Sequence, residues 1–286
     1  MLAINSLRSV PRALACWFGA AGTNEAPSAR ILLFQGTPRS DAAALERQLR
    51  WLKRHFQVVP LRNLVSAAAG ASGGVDRKVA LTFDDGLRNN VEVAYPILHR
   101  LALPATFFVC PGLIDRAKWL WTHEMDRRLA RLDPAARAEL AQECGASADV
   151  VRRVREATPH FVPTPQEREA FDLADWRELQ RLEPALVTIG SHTLTHPVLP
   201  SIPAAELELE VRDSRRQLED RLQRPVEFFA YPDGGANPAV EACVRRHYRA
   251  AVTAQHGWVR RSADSVRLPR LTAPQGVLRL ARRIYP

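Results

Sequence analysis

Two carboxylates stand side by side at Asp84 and Asp85, directly after the apolar run Val79-Ala80-Leu81-Thr82-Phe83 and directly before Gly86. Two histidines, His192 and His196, follow a second apolar run, Val187-Thr188-Ile189-Gly190. Carboxylate oxygen and imidazole nitrogen together suit zinc and similar divalent ions. One Asp with two His leaves a coordination position open, the arrangement of a catalytic rather than a structural metal site. Adjacent side chains on an extended chain point to opposite sides. Asp84 and Asp85 therefore cannot share one job: one can bind a metal while the other faces substrate or water. His192 and His196 are four apart and share a face if their segment winds into a helical turn. Each pair alone has a plainer reading, a solvated turn for Asp-Asp-Gly and polar surface for the histidines. Two such pairs, each just past an apolar strand, argue for a site.

Rigid elements must hold these pairs. Arg30 to Gln35 reads as a first strand and Gln57 to Pro60 as a short one. The strands ahead of the Asp and His pairs, Ala105 to Cys110, Val226 to Tyr231, Arg249 to Thr253 and Val266 to Leu271 complete the set. Helical apolar spacing covers Asp41 to Phe56, Leu61 to Ala69, Asn89 to Leu101, Leu173 to Leu182, Ala204 to Leu222 and Pro238 to His247. From Asp115 to about Ala174 the pattern changes to charged, short helices with no clear buried strand. That stretch reads as an insertion on one strand-to-helix loop, with Trp119, Trp121 and His123 at its start. Loops of that kind are where sites are built. The alternation of strand and helix predicts an α/β fold with parallel strands and right-handed crossovers. It does not choose a barrel over an open sheet.

The 286 residues are 46% hydrophobic, enough for a large core, which argues against a disordered chain. The net charge is +9, and Lys53, Lys78 and Lys118 are the only lysines, so the cationic surface is arginine. Such a surface favours anionic partners. No zinc knuckle, helix-turn-helix signature or basic-aromatic interleaving points to nucleic acid. Cys16, Cys110, Cys144 and Cys243 are scattered without a CxxC, which fits a reducing compartment. Residues 1–29 read as a leader segment that is neither a good signal peptide nor long enough to span a membrane. Leu7, Leu14, Trp17 and Phe18, with Arg8 and Arg12, could form an interfacial helix at an anionic membrane.

Thr82-Phe83-Asp84-Asp85-Gly86 and Ser191-His192-Thr193-Leu194-Thr195-His196 resemble the first two motifs of the polysaccharide deacetylase family, carbohydrate esterase family four. Phe229-Ala230-Tyr231-Pro232-Asp233-Gly234 resembles the third, in its Ala-Tyr-Pro form, and all three follow the family's order. The resemblance implies a distorted (β/α) barrel of about seven parallel strands over residues 30–286, with a helical insertion at about 115–174. It implies one divalent ion, zinc by preference, held by Asp85, His192 and His196. It makes Asp84 the general base and gives the backbone N–H of Asp233 to the oxyanion.

Three departures qualify that picture. Ala230 stands where many members carry an arginine that orients the base, and Arg270 in Leu268-Pro269-Arg270-Leu271 is the candidate for the missing cation. Barrel closure would bring it within hydrogen-bonding distance of Asp84. The first strand ends in Phe34-Gln35-Gly36 rather than a Tyr-His pair. The closing Leu-His motif is not found, which leaves His256, or His123 in the insertion, as candidates for the general acid. The expected activity is removal of an N-acetyl group from an amino sugar of a glycan or glycolipid precursor. A formyl group on a lipid-linked sugar, or a barrel that binds glycan or anionic lipid without chemistry, are the alternatives. The expected setting is cytoplasmic, at the inner face of the membrane.

Overall fold

A computed structural model of the chain describes residues 28–285 apart from 72–73, 117 and 143–147. The leader read at residues 1–29, with its interfacial-helix residues, lies outside them except for its last two positions. The strands in chain order are β1 (Ser28–Phe34), β2 (Gln57–Val58), β3 (Lys78–Phe83), β4 (Ala105–Val109), β5 (Val187–Ser191), β6 (Phe228–Ala230), β7 (Ala250–His256), β8 (Val259–Arg260) and β9 (Leu268–Thr272).

Seven of these, in the order β3-β4-β5-β6-β7-β9-β1, pair in parallel, and β1 pairs back onto β3 to close a barrel. The remaining two are short: β2 adds in parallel to the start of β3, and β8 runs antiparallel to the start of β1. The (β/α) barrel expected from the family resemblance is thus the observed fold. The two-residue strand β8 had no counterpart in the sequence reading, since a pair of residues carries no periodicity.

Alternation along the strands sorts side chains into two cores. Val79, Leu81 and Phe83 of β3 join Leu32, Phe107, Ile189 and Phe229 in the layer packed against helices such as Ala42–His55 and Ala204–Leu222. Ala80 joins Ile31, Phe108, Phe228, Ala230, Val252 and Leu268 in a cluster inside the barrel. That cluster continues onto the helix Leu61–Ala68, which closes the end where the strands begin. The inward set of β3 therefore reads Ala80, Thr82 and then Asp84, and that of β9 reads Leu268 and then Arg270.

Several helices differ from their sequence expectation. The run after Asp85 opens as a wide π-turn over Asn90–Ala94 before the α-helix Tyr95–Leu101. The helix expected at 173–182 shortens to Trp176–Gln180, because Leu173 instead bridges to Leu87 beside the Asp pair. Between β4 and β5 lie the helices Pro111–Ile114, Trp121–Leu129, Pro134–Gln142, Ala148–Ala157 and Pro165–Phe171, ahead of Trp176–Gln180. Reciprocal capping boxes at Thr164 with Glu167 and at Asp175 with Glu178 fix the starts of the last two. Among the described residues no helix is long and apolar enough to cross a membrane.

Gly190 on β5 shows how tightly the barrel is packed beside the histidine pair. A Cβ there would sit 2.5 Å from the Phe108 ring and 3.1 Å from the Phe228 carbonyl. Gly190→Ala is expected to lower the unfolding free energy by about 1–3 kcal/mol. An unchanged urea midpoint would show that Phe108 does not fill that space.

Candidate active site

Asp84 continues the inward series of β3, and its N–H donates to Phe34 O at 3.0 Å across the closing seam. Inside the barrel it meets Arg270. Nη1 and Nη2 of the guanidinium donate to the two Asp84 oxygens at 2.7 Å each. Nε donates to Thr253 O at 2.8 Å and Nη1 also to Thr82 Oγ1 at 3.1 Å. Both side chains are buried, at 1% exposure for Arg270 and 7% for Asp84. The cation that Ala230 cannot supply thus comes from β9. Two parallel charge-assisted bonds fix the plane of a carboxylate as well as its position.

Asp85 turns the other way. Its φ of 73° and that of Gly86, 69°, put both in the left-handed region. A Cβ on Gly86 would also press on Val109 at 3.1 Å, so a glycine is required there twice over. Asp85 Oδ1 lies 3.5 Å from His192 Nε2 and 3.8 Å from His196 Nε2. Its Oδ2 lies 3.7 Å from His123 Nε2.

The histidine pair is not on a helical turn. Thr193 and His196 have φ of 68° and 63°, and the intervening loop folds so that the two rings meet edge to face at 4.9 Å. Buried Glu210, from the helix Ala204–Leu222, holds this loop. It accepts from Leu194 N at 2.8 Å, Thr195 N at 2.9 Å and Thr195 Oγ1 at 2.6 Å. His192 Nδ1 lies 2.8 Å from Ala230 O, and Cys110 Sγ donates to His192 O at 3.1 Å. Trp121 Nε1 donates to His196 O at 2.8 Å. Sequence reasoning missed Glu210 as a site residue. Its signal was present, a carboxylate on the same stripe as the buried Leu207, Val211 and Ser214.

The three donor atoms of Asp85, His192 and His196 lie within 4.8 Å of one another, and the residues are nearly fully buried. Separations of 3.5–3.8 Å are long for hydrogen bonds. They approach the spacing of two ligands on one ion with bonds of about 2.0–2.1 Å. Burial lowers His196 to about 3, with His192 adding to the effect, so its imidazole is neutral and its lone pair free. Burial pushes the Asp85 carboxyl up, but the adjacent His192, with His196 and His123, outweighs it and leaves the group below its ordinary value. His192 donates one proton from Nδ1 to Ala230 O; burial pulls its pKa down, but Asp85 and Asp84 outweigh that and raise it, so an ion at Nε2 would take the place of the second proton. A carboxylate with two imidazoles presenting nitrogen lone pairs fits a divalent ion of the zinc type.

Asp233 sits in the tight turn after β6, at φ 52°, with Gly234 at φ 71° and close against Ala254. His256 is not brought to the cluster. It is the register partner of Arg270, but its side chain is exposed at the end of β7 and meets Trp258. The imidazole that does reach the cluster is His123, on the helix Trp121–Leu129, 4.7 Å from the Phe171 ring. Burial lowers its pKa despite the nearby Asp85. Phe34 stacks on Phe83 at 4.9 Å, and Gln35 is exposed.

A closed parallel barrel with a carboxylate and imidazole cluster at the strands' C-terminal ends defines an α/β-barrel protein built for chemistry at that face. The polysaccharide deacetylase family profile matches residues 72–251, and the chain belongs to that family. Its sequence is 21% identical over 203 residues to YxkH of Bacillus subtilis (strain 168), provisionally named a polysaccharide deacetylase. That match covers 71% of this chain and 53% of YxkH, so the chain spans about half the length of this curated relative. Among solved structures, the Streptococcus pyogenes deacetylase PplD, solved in complex with acetate, is 18% identical with a TM-score of 0.64, covering 92% of this chain and 100% of that one. IcaB from Ammonifex degensii is 19% identical with a TM-score of 0.65, covering 90% and 98%. The BpsB deacetylase domain from Bordetella bronchiseptica is 15% identical with a TM-score of 0.62, covering 87% and 97%.

Glu210→Gln keeps the size of the side chain but offers one acceptor oxygen where three donors converge. The His196 loop is expected to loosen and divalent-ion affinity to fall about 10–100-fold, the usual effect of removing a group that orients a ligand. Isothermal titration of zinc into both proteins measures this, and equal affinities would rule out the role given to Glu210.

Proposed function

We propose that the chain is a metal-dependent hydrolase that removes an N-acetyl group from an amino sugar of a glycan or glycolipid precursor. The observation that carries this reading is Asp84, clamped by Arg270 beside the Asp85, His192 and His196 donor set. Family membership and relatives named as deacetylases support it.

Asp85, His192 and His196 would hold one divalent ion, zinc by the chemistry of the donors. Such an ion polarises a carbonyl oxygen and acidifies water at neutral pH. Asp84, with both oxygens directed by Arg270, takes a proton from the attacking water. The backbone N–H of Asp233 donates to the oxygen that becomes negative as the acetamide carbon turns tetrahedral. The C–N bond then breaks, acetate forms, and the departing nitrogen needs a proton. His123, the remaining imidazole beside Asp85, is assigned that delivery in place of His256; burial keeps it neutral at rest, so it passes on to the nitrogen the proton that Asp84 took from the water and ends neutral again. The net charge of +9 and the free thiols Cys110 and Cys243 support a phosphate-bearing or otherwise anionic partner met in a reducing compartment.

Amine release from acetylated amino sugars, measured with metal content in the same samples, tests the reading. A protein that binds glycan but releases no amine from acetylated or formylated sugars would be the non-catalytic barrel instead.

The adjacent carboxylates separate under substitution. Asp84→Asn is expected to keep its metal and lose turnover by about 10²- to 10⁴-fold, whereas Asp85→Asn loses metal. Equal metal loss in both would reject the division of roles. Arg270→Met touches no ligand, so its metal content should match wild type while kcat falls and KM changes little. A kcat equal to wild type would show that Asp84 does not need its clamp.

A further inference from the structure

A second group of metal-ligating side chains lies away from the strand ends, between the helices Ala204–Leu222 and Pro238–His247. Cys243 and His247 are four apart in a regular helix, so thiol and imidazole share one face. Glu208 on the facing helix reaches between them. Its Oε2 accepts from Cys243 Sγ at 3.3 Å, and its Oε1 lies 2.6 Å from His247 Nε2. One ligand atom from each residue lies within 4.8 Å of the other two. We propose that Glu208, Cys243 and His247 bind one zinc-class divalent cation, with solvent completing the coordination.

The donor set selects the ion. A thiolate disfavours magnesium and calcium, and sulfur, nitrogen and oxygen together are a zinc combination. Cys243 is buried at 2% exposure, while the side chains of His247 and Glu208 are 20% and 31% exposed. The sulfur therefore forms a dry floor, and the other two leave an open side through which an ion enters and water reaches it. Arg246 Nη2 shares the Glu208 Oε2 at 2.6 Å, but its side chain is 59% exposed. Its Nη1 bonds only within its own helix, to Ala242 O at 3.4 Å, so the guanidinium can release the carboxylate without disturbing the fold. The thiol gives its proton to solvent as the sulfur ligates, and nothing is oxidised or reduced.

The site has a structural consequence for the barrel mouth. Residues two apart on a helix point about 200° from each other. Glu208 faces the Pro238–His247 helix, while Glu210, from the other side of the same helix, holds the His192 to His196 loop. A cation at Glu208 pins that helix in place.

Cobalt is the probe. Co²⁺ held by Asp85, His192 and His196 has no sulfur ligand, so a thiolate-to-cobalt charge-transfer band reports only a sulfur site. Titration of Co²⁺ into the full chain, with thiols kept reduced by a phosphine, is expected to raise such a band that saturates within two ions per chain, the other being held at Asp85, and is displaced by Zn²⁺. Cys243→Ser should abolish it. Glu208→Gln and His247→Gln change partly exposed side chains, keep the fold by circular dichroism, and should shift saturation to higher Co²⁺. The absence of a thiolate band in the wild type would overturn the proposal. So would a band that survives Cys243→Ser, since that would assign it to Cys16, Cys110 or Cys144, and so would unshifted saturation in both Gln variants.

Discussion

The Arg270 guanidinium crosses the inside of the barrel from β9 to the end of β3, with both terminal nitrogens 2.7 Å from Asp84. Taking two charges out of water costs several kcal/mol for each. Paired charge-assisted bonds, with Thr253 O and Thr82 Oγ1 taking further guanidinium N–H groups, offset that cost only in one geometry. β1 lies between the two strands and pairs with both, Leu32 facing Leu81 on one side and Leu271 on the other. A slip of one residue in either ladder would turn Arg270 or Asp84 out of the barrel and leave the other charge unpaired. The position of the candidate base is therefore a consequence of barrel closure.

Around that pair the loops carry strain. Asp85, Thr193, His196 and Asp233 are all non-glycine residues at positive φ. Each costs about 1–2 kcal/mol for a side chain with a Cβ. Such conformations persist where neighbours over-determine them. Here the neighbours are identifiable: Glu210 and Thr193 Oγ1 for the histidine loop, and the Gly86 contact with Ala174 for the aspartate loop. Four strained residues from three separate strand ends thus converge on one small volume, the concentration expected of a site rather than of ordinary turns.

The parts legible in the sequence were those encoded within a few residues. Asp84 beside Asp85, and the histidine pair after an apolar strand, needed only local spacing. Alternation of strand and helix gave α/β, but closure depends on β1 finding β3 some fifty positions away, which local periodicity does not record. A helical turn would put His192 and His196 on one face; a loop with two left-handed residues brings them together instead, since a spacing of four serves both. His256 was misplaced for a similar reason: the last three residues of β7 are exposed, so a histidine at a strand end need not face the barrel. Arg270, 186 positions from Asp84, was found through family resemblance and not through any pattern in this chain.

The inserted segment packs against the site. Asp85, His192 and His196 are only 2–4% exposed. Trp121 and His123, at the start of the helix Trp121–Leu129, lie directly against them. Leu173 and Ala174, from the far end of the same insertion, pair with Leu87 and Gly86 beside the aspartates. Behind His123, Phe171, Trp119 and Phe161 pack in sequence outward, and guanidinium groups lie over Phe171 and Phe161. The barrel interior is too densely filled to adapt to a ligand, as Gly190 against Phe108 shows. The first turn of the helix Trp121–Leu129 therefore forms one wall of the cluster of Asp85, His192 and His196. The surroundings of the cluster are thus shaped by the insertion as well as by the strand ends.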